Sequence, residues 1–327
     1  MSVSTTSGAV YGMLEKLDVL AELEPCVARN LDRHLARAAV WYPHQYIPWS
    51  AGRDLEGPLG GEPWEPEQSV LPGAVRDALM ANPLTADNLP SYHHEIASRF
   101  GHDGDWGTRV HRWSAEEDRH SHALRAYQTT TRAVHSVALE QERIGQMSRG
   151  FTSDQPTALH AIAYVTVQEL ATRIAHRNAG RHCPNPVGAS LTARIAADEN
   201  LRMVFYRDLC RGAFELAPAA FLSAFTDVVC AFRMPGHGIP RFTARAARIA
   251  AAGIFDVQVH CEQVLRSLVR ALGVMDRADI GPSGEQAREK LGVHLEHLRA
   301  RSARLSALRL RLTARQARHS PHGEGET

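Results

Sequence analysis

Two short stretches of this chain carry side chains that bind metal ions in other proteins. In the first, AEEDRH at 115–120, Glu117 stands three residues before His120. Residues three apart lie on one helical face, so this turn offers a carboxylate and an imidazole to the same ion. Oxygen and nitrogen donors of this kind suit iron or manganese.

The second stretch, IAADENLRMVFY at 195–206, has a similar start but a different end. Asp198 and Glu199 sit on an apolar helical background, and Arg202 follows Glu199 by one turn. An arginine can neutralise a glutamate, but it offers no lone pair to a metal. The two stretches therefore look like halves of one site, although the second half ends in an arginine.

A third carboxylate, Glu169, lies among apolar neighbours in VTVQELATR at 165–173. A charge on an apolar face is costly unless it is paired or bound to a metal. Each signal alone is weak, because a Glu-x-x-His turn arises often by chance and a lone glutamate more often forms a salt bridge. Together they match four-helix di-metal proteins, in which helices supply Glu and Glu-x-x-His ligands.

The elements that must position these residues are almost all helical by their apolar periodicity. The region 41–72 is rich in Pro, Gly and Trp and is predicted to be irregular, a structural belt rather than a binding platform. The last helix is basic and amphipathic, which fits packing against the bundle and, alternatively, contact with an anionic surface or a partner helix. Helices are predicted at 10–40 with a break near Pro25, 72–81, 88–100, 106 to the mid-140s, 153–180, 186–214, 218–232, 241–251, 255–272 and 285–318.

Composition is that of an ordinary globular protein, with 44% hydrophobic and 22% charged residues in 327. A net charge of +1 argues against a general nucleic-acid binder. The five scattered cysteines include no CxxC pair and fit reduced thiols. With neither a signal-peptide pattern nor a long apolar run, we expect a cytoplasmic protein without a membrane span.

Several longer motifs resemble those of the soluble acyl-acyl carrier protein desaturases of the bacterial, actinobacterial type, which are related to the plant stearoyl-carrier-protein enzymes. The resemblance runs from about residue 30 to residue 270. It is carried by WYPHQYIPWSAGRDL (41–55), TADNLPSYHHEI (85–96), HRWSAEEDRH (111–120), QELAT (168–172), IAADEN (195–200) and RMPGHGIPRF (233–242).

This resemblance implies an all-α, ferritin-like four-helix bundle with additional helices, acting as a homodimer that holds two irons. Such enzymes are reduced by ferredoxin, activate O₂ and remove two hydrogens from an acyl chain tethered to acyl carrier protein. We expect the main domain at 1–280, an amphipathic basic helix at 281–318 and a disordered tail at 319–327. By position, the resemblance makes Glu117, His120, Glu169 and Glu199 metal ligands, places Trp41, Trp113 and Asp198 on an electron relay, and places Thr172 beside the oxygen site.

Two family ligand positions are substituted. Ala86 stands where the family has its first glutamate, and Arg202 stands where it has its second histidine. Asp87 is about 100° around the helix from Ala86 and should point away from the site. Neither His93 nor His94 is an obvious replacement. We expect the Arg202 guanidinium to pair with the neighbouring carboxylates and to take the space of the second iron.

Three hypotheses follow. The favoured one is a non-catalytic or regulatory binder of acyl carrier protein, as a homodimer or as a heterodimer with a competent paralogue. The alternative is an active O₂- and ferredoxin-dependent desaturase or oxygenase with a modified metal site. A third is a mononuclear enzyme, in which Glu117, His120 and Glu199 hold one divalent ion. Other histidines are interpreted as surface or packing residues: His34, His44, His93, His94, His122, His160, His176 and His182.

Overall fold

Helices make up most of the chain that the computed structural model describes, which is 18–234, 236 and 238–319. Within these ranges there is no β-strand, and the only extended pairing is an isolated bridge between Leu55 and Glu62. The helices are α1 (Val19–Arg37), α2 (Gly73–Ala86), α3 (Leu89–Phe100), α4 (Gly104–Thr130), α5 (Ser136–Met147), α6 (Ala158–His182), α7 (Pro186–Leu216), α8 (Pro218–Ala231), α9 (Phe242–Ala251), α10 (Val257–Val259, the π-helical turn His260–Leu265 and Arg266–Leu272) and α11 (Gly281–His319).

The predicted all-α architecture is confirmed, and the candidate site lies among α2, α4, α6 and α7. Helices α6 and α7 pack along each other, α2 packs against α4 and α6, and α1 covers α4 and α7. Buried apolar side chains such as Val27, Ile162, Leu209 and Phe225 fill the interfaces. Burial of these faces supplies the main driving force for assembly of the bundle.

One predicted helix is wrong. The segment from 106 to the mid-140s is not continuous, because α4 ends at Thr130 and α5 begins at Ser136. Arg132 adopts a left-handed backbone conformation with φ of 52°, which turns the chain out of the helix. His135 then caps α5 by accepting a hydrogen bond from the Ala138 amide at 3.3 Å.

The predicted break near Pro25 is also wrong, since α1 runs through that residue. Pro25 removes one backbone donor from the second turn of this helix without ending it. The part of the predicted first helix before residue 18 lies outside the described residues.

The predicted irregular region, 41–72, is held to the end of α4 by side chains. Arg132 donates hydrogen bonds to three loop carbonyls and to the side chain of Gln68. In return, the Trp64 indole donates to the carbonyl of Arg132 at 2.8 Å. These contacts fix the belt whose first residue, Trp41, reaches the candidate site.

The last helix packs on the bundle over its first turns. Leu291 and Leu295 are buried in the main core, and α11 lies along α8. Further along, Leu305 and Leu308 are exposed. The proposed division at 280 stays a prediction, and residues 320–327 of the predicted tail lie outside the described part of the chain. None of the described helices has the length and apolar character needed to cross a membrane.

Candidate metal centre and adjoining cavity

The three stretches that the sequence singles out meet inside the bundle. Helix α4 contributes Glu117 and His120, helix α6 contributes Glu169, and helix α7 contributes Glu199 and Arg202. Glu169 and Arg202 have no exposed surface, whereas the side chain of Glu117 is 14% exposed. The predicted meeting of these residues therefore occurs, and their charges are nearly all removed from water.

Arg202 lies at the centre of this group and contacts all three carboxylates. Its Nη2 is 2.6 Å from Glu117 Oε1 and 2.5 Å from Glu199 Oε1. Its Nε donates a hydrogen bond to Glu169 Oε2 at 3.1 Å. Nη2 is also 3.4 Å from His120 Nδ1. The guanidinium is thus surrounded by the donors that the sequence assigns to a metal.

The protonation of these carboxylates is unequal. Burial raises the pKa of Glu169 well above its usual range, despite the opposing charge of Arg202. Burial also opposes ionisation of Glu199, but Arg202 and hydrogen bonds with His120 and Glu169 hold its pKa well below the usual range. The two carboxylates therefore differ in their tendency to ionise, and Glu199 is the more acidic of the pair.

The same charges act on the remaining members of the group. Burial raises the pKa of Glu117, and Arg202 works against that rise. Burial disfavours the charged form of Arg202, but the three glutamates outweigh it and raise the pKa of the guanidinium further. Arg202 is therefore a permanent cation at the centre of the cluster.

Asp198 and Trp41 form a second layer beside His120. Asp198 Oδ2 accepts a hydrogen bond from Trp41 Nε1 at 2.7 Å and lies 3.1 Å from His120 Nε2. Arg119 and Arg194 also pair with this carboxylate. Burial opposes ionisation of Asp198, but the hydrogen bond with His120 and the other partners lower its pKa.

Trp113 and Thr172 take up positions on two sides of Glu169. The Trp113 indole donates to Glu169 Oε1 at 3.3 Å. Thr172 Oγ1 donates to the carbonyl of Gln168, one turn earlier on α6, at 3.0 Å. The roles of Trp41, Trp113, Asp198 and Thr172 in electron relay and oxygen binding remain predictions.

No neighbour takes the place of the missing glutamate at Ala86. Asp87 is turned away, as the helical angle predicts, and pairs with Arg125 at 3.1 Å and with Arg143 at 3.7 Å. A hydrogen bond from Ser121 occupies its other oxygen. His93 contacts Ser114 at 2.6 Å, and His94 is exposed.

One group of residues could still hold a single cation. Donor atoms of Glu117, His120 and Glu199 lie within 4.8 Å of one another. Glu199 Oε2 is buried without a hydrogen-bond partner among the described residues. However, Arg202 Nη2 already lies against the other oxygen of Glu199 and against Glu117, so a cation would have to displace the guanidinium.

A cavity of about 260 Å³ opens beside the cluster and is lined by α2, α3, α4, α6 and α9. Its wall is mainly apolar, and Ala86, Glu117, His120 and Glu199 lie at its polar part. It also includes Asn82, which the sequence analysis did not consider, and His176, which it interpreted as a surface or packing residue. A signal was available for His176, because it follows Glu169 by two turns and shares its helical face.

Comparison with known proteins places this architecture among desaturases. The family model described as fatty acid desaturase matches residues 15–320. DesA1 of Mycobacterium tuberculosis, named as an acyl-[acyl-carrier-protein] desaturase, is 41% identical over 313 residues, covering 93% of this chain and 92% of the relative. A chloroplastic acyl-[acyl-carrier-protein] desaturase 6 of Oryza sativa is 27% identical over 305 residues, covering 84% and 71%.

A solved structure gives the same result at the level of the fold. The X-ray structure of the acyl-ACP desaturase DesA2 from Mycobacterium tuberculosis superposes with a TM-score of 0.69 at 28% identity, covering 82% of this chain and 98% of the other. Its fold confirms the expectation of a ferritin-like bundle. The sequence match and the fold therefore agree.

Proposed function

This chain belongs to the fatty acid desaturase family, and we propose that it binds acylated carrier protein without assembling the di-iron centre of that family. The observation that carries the proposal is the fully buried Arg202, whose Nη2 lies 2.6 Å from Glu117 and 2.5 Å from Glu199. A guanidinium and a metal ion compete for the same carboxylate oxygens. The protein would then act as a non-catalytic or regulatory partner.

The donor set does not fit two iron ions. Ala86 offers no oxygen on α2, and the adjacent Asp87 is engaged by Arg125 and Ser121. On α7 the second imidazole is absent, and the cation that replaces it repels a metal. A pair of ions would have only the carboxylates Glu117, Glu169 and Glu199 and the single imidazole of His120.

The cavity supports the acyl-binding half of the proposal. A mainly apolar cavity of about 260 Å³ reaches the polar cluster, as expected for a site that buries an alkyl chain. The relatives named above are acyl-carrier-protein desaturases, so an acyl chain on acyl carrier protein is the substrate class that we assign. We also propose assembly as a homodimer or as a heterodimer with a competent relative.

The alternative is an O₂-dependent desaturase or oxygenase with a modified metal site and a ferredoxin-type reductant. It is favoured by the donor group Glu117, His120 and Glu199 and by the orphan oxygen of Glu199. Iron is the metal that the family implies for such a site. The retained Thr172 and the hydrogen bond between Trp41 and Asp198 fit the same alternative.

The two proposals are separated by measuring metal and ligand on one preparation. The protein would be produced with ample iron, its metal content determined by mass spectrometry, and its affinity for palmitoyl-acyl carrier protein determined by calorimetry. We expect no stoichiometric iron, together with binding that is tighter for the acylated carrier than for the carrier alone. Two irons per chain would contradict the loss of the centre. One iron per chain, with oxidation of the acyl chain when reduced ferredoxin is supplied, would favour the alternative.

Two variants, each with one alanine replaced by phenylalanine, test whether the cavity is the acyl site. Ala175 lines the cavity on α6, whereas Ala193 is exposed on α7. We expect Ala175→Phe to weaken binding of the acylated carrier by about tenfold or more, because an inserted ring overfills the space. Ala193→Phe should leave the affinity unchanged. Equal affinities for both variants would place the acyl chain elsewhere.

A further inference from the structure

The cavity wall contains a buried histidine that takes no part in the carboxylate cluster. His176 is 3% exposed and lies on α6, two turns after Glu169. Its hydrogen bond is with Asn82 of α2, whose Nδ2 lies 3.2 Å from His176 Nδ1. Both residues line the cavity, so the pair joins the two helices at the cavity wall.

The partner on Nδ1 fixes which nitrogen of the ring carries the proton. The Asn82 amide nitrogen can only donate, so His176 Nδ1 accepts. Burial lowers the pKa of His176 to about 4, so the ring is neutral near pH 7. A neutral imidazole that accepts at Nδ1 carries its hydrogen on Nε2. That Nε2–H has no hydrogen-bond partner among the described residues.

The surroundings leave room for a ligand atom near this donor. Ala86 follows Asn82 by one turn of α2 and also lines the cavity, so a methyl group stands where a longer side chain would project. Thr172 is committed to the carbonyl of Gln168. The Gln168 amide itself lines the cavity and has no hydrogen-bond partner among the described residues.

A simple alkyl chain cannot satisfy the hydrogen-bonding groups in the wall of this cavity. An alkyl chain that enters the cavity expels water from His176 Nε2 and leaves a buried donor unpaired, which costs free energy. An oxygen substituent on the chain accepts that hydrogen and avoids the loss. Sites built to pair a polar group discriminate against analogues that lack it.

We propose that the cavity selects an acyl chain that carries an oxygen substituent, a hydroxyl or keto group, which accepts a hydrogen bond from His176 Nε2. This inference rests on the proposed binding of acylated carrier protein. It adds a specificity-determining pair, His176 with Asn82, and a substrate class, oxygenated acyl chains.

The test compares affinities for carrier protein loaded with palmitoyl chains that are unsubstituted or carry a single hydroxyl or keto group at successive positions. For at least one position we expect the substituted chain to bind about tenfold tighter than the unsubstituted chain. In His176→Leu this ratio should fall to about twofold or less. Asn82→Ala, which removes the group that orients the ring, should reduce the ratio to an intermediate value.

The matched control is His160→Leu. His160 lies on the same helix and is 7% exposed, and burial lowers its pKa as well, but it does not line the cavity. This variant should keep the wild-type ratio. Circular dichroism and thermal melts establish that each variant is folded, and Asn82→Ala keeps the test decisive if His176→Leu does not fold.

The outcomes separate this inference from the function on which it rests. If unsubstituted and substituted chains bind equally well, the polar subsite is excluded while acyl binding stands. If both His176→Leu and Asn82→Ala still prefer the substituted chain, another group binds the oxygen substituent and the assignment to His176 is wrong. If no acylated carrier binds more tightly than the bare carrier, the proposed function and the inference both fall.

Discussion

Arg202 serves, at the scale of single residues, as a built-in cation for a cluster of buried carboxylates. A buried charge is tolerated when its partners satisfy it, and here one guanidinium contacts Glu117, Glu169 and Glu199. The cluster therefore already contains a cation that contacts each of its carboxylates, and the proposed function rests on this contact.

Removal of this cation should be costly. We expect Arg202→Met to lower the free energy of unfolding at neutral pH by about 3–5 kcal/mol, because it leaves buried carboxylates without a counter-charge. Those carboxylates would then have pKa values raised above the unfolded value. Such groups destabilise the fold as pH rises towards the raised pKa. The difference in the free energy of unfolding between wild type and Arg202→Met should therefore shrink on acidification.

Urea titrations at a series of pH values from neutral to acidic measure the free energy of unfolding of wild type and variant. The control is Arg194→Met, whose partner Asp198 keeps Arg119 and Trp41, so the expected loss is about 1 kcal/mol or less. A loss in Arg202→Met no larger than in this control would show that the cluster does not depend on its central cation.

The sequence was sufficient to find the members of the cluster but not its neighbours. Glu117, Glu169 and Glu199 stand out because carboxylates on apolar helical faces need a partner, and Arg202 stands out because it breaks the Glu-x-x-His spacing. The only signal for His176 is its spacing of two turns from Glu169, which does not identify its partner. Its partner Asn82 comes from another helix, and only the packing of α2 against α6 brings the two together.

At the scale of elements, a buried hydrogen bond between His34 and Glu116 ties α1 to α4. His34 Nε2 lies 3.0 Å from Glu116 Oε1, and both side chains are nearly inaccessible to solvent. Arg112 reaches the same carboxylate at 2.6 Å. This contact sits one residue before Glu117, so it helps to set the rotation of α4 that turns Glu117 and His120 towards the cavity.

Glu116→Gln should weaken this tie in a pH-dependent way. Burial opposes ionisation of Glu116, but the hydrogen bond with His34 lowers its pKa from 4.5 to about 2. A depressed pKa contributes stability that is present above the unfolded pKa and is lost as pH falls through the folded one. We expect the variant to lose about 3 kcal/mol at neutral pH, with the difference from wild type narrowing between pH about 4.5 and about 2.

Chemical denaturation at a series of pH values checks this expectation. Glu140→Gln is the control, since Glu140 pairs with Arg143 while its side chain is 47% exposed, and we expect it to cost less than about 1 kcal/mol. A pH-independent difference for Glu116→Gln would refute the assigned pKa shift.

Helix positions were largely readable from apolar periodicity, and the missed break between α4 and α5 has a tertiary cause. The interruption between α4 and α5 depends on the left-handed backbone of Arg132, a residue type that gives no signal for it. Its conformation is held by hydrogen bonds to carbonyls of the belt at 41–72, far along the chain. Tertiary contacts of this kind override local propensity.

At the scale of the whole molecule, four helices can be held together by an ion or by the protein's own charges. In this chain the α4, α6 and α7 carboxylates converge on Arg202, a cation that the protein itself supplies. The cavity beside the cluster could not be foreseen, because helices that are distant from one another in sequence contribute its wall. Its apolar lining is the feature on which the proposed binding of an acyl chain rests.

The choice between ion and internal charge predicts how the fold responds to iron. A ligand that binds only the folded state stabilises it by RT ln(1 + [L]/Kd), where [L] is the free ligand concentration, so a bound metal raises the melting temperature. We expect ferrous iron or a chelator to shift the wild-type melting temperature by less than about 1 °C, because Arg202 occupies the cation position. The variant Ala86→Glu/Arg202→His restores both missing ligands and should bind iron and melt higher with it, by about 4 °C or more.

The single variants Ala86→Glu and Arg202→His serve as controls and should bind less iron than the double variant. A large iron-dependent shift in the wild type would mean that the guanidinium yields its place to metal, whereas a double variant that takes up no iron would mean that the pocket has changed beyond its ligands.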